Sequence, residues 1–230
     1  MNTAALADRY ARVKATLPPR VKLIAVSKTR SVEEIQALYD LGQRAFGENY
    51  PQELRDKQPV LPSDIEWHFI GHLQTNKVKY IAPFVHLVHG VDREALADEL
   101  AKRARSERRT IDALFQIHIA DEETKHGFLP EEIRALVVGT DLSKRWPELC
   151  FRGLMGMATN TKDMVQVRNE FNGMSSLLKE LQGNEGLDVS LFKELSMGMS
   201  GDADEAVAAG STMVRIGTAI FGEREYPIAH

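Results

Sequence analysis

Val21-Lys22-Leu23-Ile24-Ala25-Val26-Ser27-Lys28 is an apolar run that ends on a cation. It reads as a buried parallel strand, because strands covered on both faces are nearly continuous in apolar residues. Thr29, Arg30 and Ser31 break the run, and Ser31-Val32-Glu33-Glu34 opens a helix with a capping box. Val32, Ile35, Leu38 and Tyr39 then recur at helical spacing before Gly42. A strand with a polar end followed by a capped helix is the unit that decides the fold if it repeats.

It does repeat. Residues 44–47, 65–71, 84–88, 111–119, 149–154, 192–195 and 212–216 read as further strands. Helices are expected over 50–57 and 74–81, from an Asp92 cap to Arg109, from Pro130, along the 164–181 apolar stripe and over 202–209. Eight strands with intervening helices imply a closed parallel (β/α)8 TIM-type barrel, an α/β fold in one domain over residues 1–230. The chain ends soon after the eighth strand. An extra N-terminal helix over 3–16 is therefore expected to cover the wall that a final helix usually covers. Neither the 59–62 stretch nor Asn184-Glu185-Gly186 has the composition of a domain linker.

Composition excludes several classes. The chain is 43% hydrophobic and 27% charged, ordinary for a soluble globular domain. A net charge of -4 gives no nucleic-acid signal. The basic cluster at 102–109 reads as the solvated last turn of a helix, where cations complement the dipole. The single cysteine, Cys150, rules out an internal disulfide and reads as a small core residue. The N-terminus lacks a signal-peptide core, and no apolar run approaches the about 20 residues that span a bilayer. A cytoplasmic, reducing compartment and no membrane partner are expected.

In a barrel all strand ends point to one face, where barrel chemistry resides. Lys28 stands there after the first strand, Gly47-Glu48-Asn49-Tyr50 after the second and residues 71–77 after the third. Met155-Gly156-Met157-Ala158 follows the sixth strand, residues 196–202 the seventh and Gly217-Thr218-Ala219 the eighth. A lysine whose pKa is lowered by partial burial can attack an aldehyde, though a strand-end lysine can also simply snorkel. The last two loops are rich in Gly, Ser and Thr where barrels commonly bind phosphate. A Schiff-base lysine facing a phosphate cradle suggests pyridoxal 5'-phosphate. Arg215, at the end of the eighth strand, has two readings. It could face a pyridine nitrogen and leave it unprotonated, or it could form a structural salt bridge to Glu48 or Glu194. His68 and His72 straddle a strand and a loop, and no metal site is expected from them. No Walker loop, dinucleotide fingerprint or nucleophile elbow is present.

The stretches 23–29, 46–50, 67–77, 123–127, 194–200 and 210–218 together resemble the signatures of the pyridoxal phosphate homeostasis protein family. That family is similar to the N-terminal barrel of fold-type III alanine racemases. The resemblance implies Lys28 as the aldimine lysine, Arg215 at the pyridine nitrogen, and Ser196, Ser200, Gly217 and Thr218 around the phosphate, with Asn49 near the ring. Gly201 stands where the family motif often has alanine. The implied role is a carrier and regulator of the cofactor without robust turnover, since racemases of this fold need a second acid/base group from a C-terminal domain and the chain stops at His230. The implied partners are the cofactor, small amino acids and apo forms of enzymes that use it, with the chain itself a monomer. An amino-acid racemase or other enzyme of fold type III, and a cofactor-free class I aldolase, are the alternatives. An absorbance spectrum separates the last from the others.

Overall fold

The computed structural model describes residues 3–122, 126–184 and 187–223. The first half of the chain forms α1 (Thr3–Thr16), β1 (Lys22–Val26), α2 (Val32–Asp40), β2 (Ala45–Glu48), α3 (Pro51–Lys57), β3 (Glu66–Phe69), β4 (Leu87–Val91), α4 (Glu94–Ser106) and β5 (Ile111–Ile117). The second half forms α5 (Pro130–Gly139), α6 (Leu142–Arg145), β6 (Leu149–Gly156), α7 (Met164–Gln182), β7 (Glu194–Ser196), α8 (Ala203–Ala208), β8 (Met213–Ile216) and α9 (Thr218–Phe221). The eight strands pair in chain order and close, β8 against β1, as a parallel barrel. No helix among the described residues is long and apolar enough to cross a membrane.

Local chemistry explains the elements. Ser31 Oγ accepts from the Glu34 amide and the Ser31 amide donates to Glu34, so the capping box starts α2 as expected. The helix α1 has the expected bounds and role. Its Leu6 and Tyr10 are buried, and Arg9 donates from Nε to Ile220 O (2.7 Å), closing the wall where α9 is only one turn long. Within the basic cluster Arg103 pairs with Glu99 on the same helix, Arg105 with Glu148 ahead of β6, and Arg109 donates to Ala82 O and Val85 O. Cys150 is half-buried on β6.

Three expectations needed correction. Residues 75–80 form a 3-10 helix rather than an α-helix. The fourth strand lies at Leu87–Val91, three residues later than expected. Phe84 and Val85 are apolar because they end the preceding turn, both donating backbone N–H to Ile81 O. Asp92 does not cap α4. Arg93 is the N-cap and makes no side-chain cap bond, while the Asp92 carboxylate pairs with Arg93 and His72.

Candidate functional site

Successive strand residues point to opposite faces of a sheet, so Lys22, Ile24, Val26 and Lys28 share the inward parity of β1 and its continuation. Ile24, Ala45, Leu87, Leu114, Met155 and Met213 form a small apolar cluster inside the barrel, separate from the large core between sheet and helices. On the amino-terminal side of it lie charged pairs, Lys22–Glu66 (2.9 Å) and Arg152–Asp112 (2.8 Å). On the carboxyl side lie the buried polar groups His89, Gln116, Ser196 and Arg215.

Lys28 is half-buried beyond the end of β1, and both of its neighbours are pinned. The Ser27 amide donates to Gly47 O, and Ser27 Oγ donates to Glu48 Oε1 at 2.6 Å. The buried Lys57 ammonium donates to Ser27 O (2.8 Å), Glu48 Oε1 (2.8 Å) and Glu53 Oε1 (2.6 Å). Glu53 in turn accepts from the Thr29 amide at 2.6 Å. Thr29 is held at φ 62°, a conformation that a β-branched residue adopts only under constraint from its surroundings. Burial raises the Glu48 carboxyl pKa above its ordinary value, with the Lys57 charge and hydrogen bond opposing.

Arg215 is buried and paired with no carboxylate among the described residues. Its Nη1 donates to Ser196 O (2.7 Å) and Ser196 Oγ (2.6 Å), and Nη2 to Gly156 O (3.1 Å). Neither acid named for a structural salt bridge takes it. Glu48 is held by Lys57, and Glu194 accepts from Thr212. Burial lowers the guanidinium pKa to about 10, which leaves it fully charged near neutral pH. Ser196, expected at a phosphate, has its hydroxyl between Arg215 and His89 Nδ1 (2.8 Å) inside the barrel. A polar thread continues from there, with His89 Nε2 2.9 Å from His68 Nδ1.

The register sets Ile24 beside Arg215 and Ala25 beside Ile216, so the Gly217–Thr218 turn neighbours the strand that leads to Lys28. A Cβ on Gly217 would meet Val26 at 3.2 Å, so glycine keeps this approach open. Ser200 and Thr218 are exposed on the same face. Asn49 follows β2, and its Oδ1 is buried without a hydrogen-bond partner among the described residues. Beside it a cleft of about 340 Å³ is lined by Asn49, Tyr50, His72, Gln74 and Lys77. Another cleft, of about 480 Å³, lies at the amino-terminal end, beside Lys22 and Glu66. Of the 123–127 motif, residues 123–125 lie outside the described residues, and His126 stacks on His72 at 4.0 Å.

Sequence reasoning missed Lys57, Glu53 and His89. The acidic Glu48 at a buried strand end called for a cationic partner, and that was the available signal for Lys57. Nothing in the sequence ties His89 to Ser196, 107 positions away.

The family model described as "Alanine racemase, N-terminal domain" matches residues 1–225. A pyridoxal phosphate homeostasis protein of Pasteurella multocida is 43% identical over 214 residues, covering 90% of this chain and 88% of that one. The Escherichia coli protein of the same name is 38% identical over 213 residues, covering 91% and 88%. The solved structure of PipY from Synechococcus elongatus with PLP bound is 35% identical, with a TM-score of 0.84 over 94% of this chain and 100% of that one. An alanine racemase of Bartonella henselae shares the fold at 16% identity and a TM-score of 0.73, and the chain spans 60% of its length.

Proposed function

The chain belongs to the pyridoxal phosphate homeostasis protein family, and from that premise we propose that it binds pyridoxal 5'-phosphate at the carboxyl mouth of the barrel and serves as a carrier and regulator of the cofactor. The observation that carries this reading is Lys28, held between two pinned residues on the inward parity, at the mouth shared with a buried Arg215 that has no carboxylate partner among the described residues. The residues fit the cofactor. Lys28 Nζ is the attachment point, and Arg215 donates to the ring nitrogen. The exposed hydroxyls of Ser200 and Thr218 and the Gly217 turn take the phosphate, and the orphaned Asn49 Oδ1 lies near the ring. Ser196 acts one step behind, by holding the Arg215 guanidinium. Bound there, the cofactor supplies an aldehyde for amines and an electron-withdrawing ring.

Arg215 supports binding over turnover. A guanidinium does not give up its proton, so the ring stays neutral and withdraws electrons weakly. Small amino acids reach the open mouth, and recipient apo-enzymes draw the cofactor from it. The protein acts as a monomer in the cytoplasm. Borohydride reduction of the loaded protein and peptide mapping should find the pyridoxyl group on Lys28, and Lys28→Ala should lose the near-visible absorbance. An adduct only on another lysine such as Lys77 sinks the assignment. Steady alanine racemisation on the order of 10 per second, abolished by Lys28→Ala, would replace the carrier with an enzyme.

A further inference from the structure

At the amino-terminal end of the barrel, away from Lys28, two imidazoles and a carboxylate converge. Glu66 opens β3, and His68 follows it at the same inward parity. His86 stands just before β4, its backbone N–H donating to Trp67 O. His68 Nε2 lies 3.9 Å and His86 Nε2 4.0 Å from the same Glu66 Oε2, and the three ligand atoms are all within 4.8 Å of one another. None of these separations is a hydrogen bond. His68 is wholly buried, yet its Nε2 has no hydrogen-bond partner among the described residues. A buried polar atom left so costs about 1–3 kcal/mol and calls for an explanation.

We infer that Glu66, His68 and His86 form a binding site for a divalent transition metal of the zinc class. Zinc takes imidazole nitrogen and carboxylate oxygen at about 2.0–2.2 Å, which makes a tetrahedral ligand–ligand edge of ~3.4 Å. The two imidazole–carboxylate separations therefore need to close by about half an ångström, and the imidazole–imidazole one, no longer than 4.8 Å, by at most about 1.4 Å. Two neutral imidazoles and one carboxylate suit such a cation and leave its fourth position to solvent. The Lys22 ammonium, 2.9 Å from Glu66 Oε2, favours the carboxylate form. The outer contacts also fit. When His68 Nδ1–H donates to His89 Nε2, and His89 in turn to Ser196 Oγ, Nε2 of His68 presents a lone pair toward the site.

Two cations compete. Lys22 Nζ sits 2.9 Å from Glu66 Oε2 and must swing aside, which its half-exposed side chain allows. Arg109 bears on His86 with the same sign, and Asp112 with the opposite one.

The site lies at the opposite end from Lys28 and its test uses no cofactor, so its failure leaves the cofactor reading untouched. Zinc chloride is titrated calorimetrically into the full chain, and Co2+ is added in parallel to read ligand-field absorbance. The expected result is about one saturable equivalent of zinc. His86→Ala and Glu66→Gln, both at partly exposed positions, should each weaken it by roughly tenfold or more, and Lys22→Met should tighten it. Zinc should raise the melting temperature of the unsubstituted chain and not that of His86→Ala. Absence of saturable binding overturns the inference. So does affinity unchanged in both weakening variants, or affinity lost on His72→Ala, which would assign the metal to the His72, Asp92 and His126 group at the other end.

Discussion

Lys57 is a buried cation whose three acceptors, Ser27 O, Glu48 Oε1 and Glu53 Oε1, all belong to the cradle of Lys28. Removing one partner of a buried ion pair typically costs about 3–5 kcal/mol, because the other charge is stranded. Lys57→Met should lose stability on that scale at pH 7, and adding Glu48→Gln should recover much of it. The sign of the pH effect follows from Glu48. Its folded pKa is already raised, so it stabilises below its unfolded pKa and that stability is lost as pH rises through the folded one. Without Lys57 the folded pKa rises further, so the deficit should shrink as pH falls. Urea unfolding of the single and double variants at two pH values reads this, and a deficit independent of pH contradicts it. At this scale the placement of Lys28, Asn49, Ser200, Arg215, Gly217 and Thr218 at one mouth of the barrel was legible, since each ends or follows a strand and strand ends share one face. The two-sided setting of Ser196 was not, because it depends on His89 arriving from another strand.

At the scale of elements, Gly153 shows what a strand must give up to stay in register. It sits at φ +150° where the β5–β6 pairing shifts by one residue, and a Cβ there would lie 2.0 Å from Glu194 O. Gly153→Ala should therefore push β6 and β7 apart and cost at or above the ~1–3 kcal/mol of ordinary overpacking. A melting temperature within a degree of the parent would mean the backbone can yield. The shift matters for the site, because it turns Met155 into the barrel and brings Gly156 O to Arg215. Strand order and helix α1 could be read from alternation and periodicity. The β4 boundary could not, because Gly90 looks like a turn residue. Its absent side chain is instead a packing need, since a Cβ there would lie 2.9 Å from Gly71 O.

For the molecule as a whole, the buried histidines set how it meets acid. His68 has a folded pKa of about 4 against an ordinary 6.5. A lowered histidine contributes stability that is complete above the unfolded value and is lost as pH falls through the window between the two. The loss from His68 alone is roughly 2 kcal/mol by pH 5, and His89 and His86 shift in the same direction. The melting temperature should drop by ~4–8 °C or more between pH 7.5 and 5. A flat profile over that range would mean the rings are already charged in the folded state.

The closure of β8 on β1 has a consequence for synthesis. Pairing of Lys22 through Ala25 with Met213 through Ile216 joins segments separated by most of the chain. At ~5–20 residues per second on a ribosome, β1 waits on the order of ten seconds or more for its second neighbour. Through that interval one edge of an apolar strand, and Lys28 at its end, are open to whatever the nascent chain meets. The final joining step is therefore the one most exposed to chaperones, and Arg9 and Arg30, which reach the carbonyls of Ile220 and Gly222, are the latches that complete it.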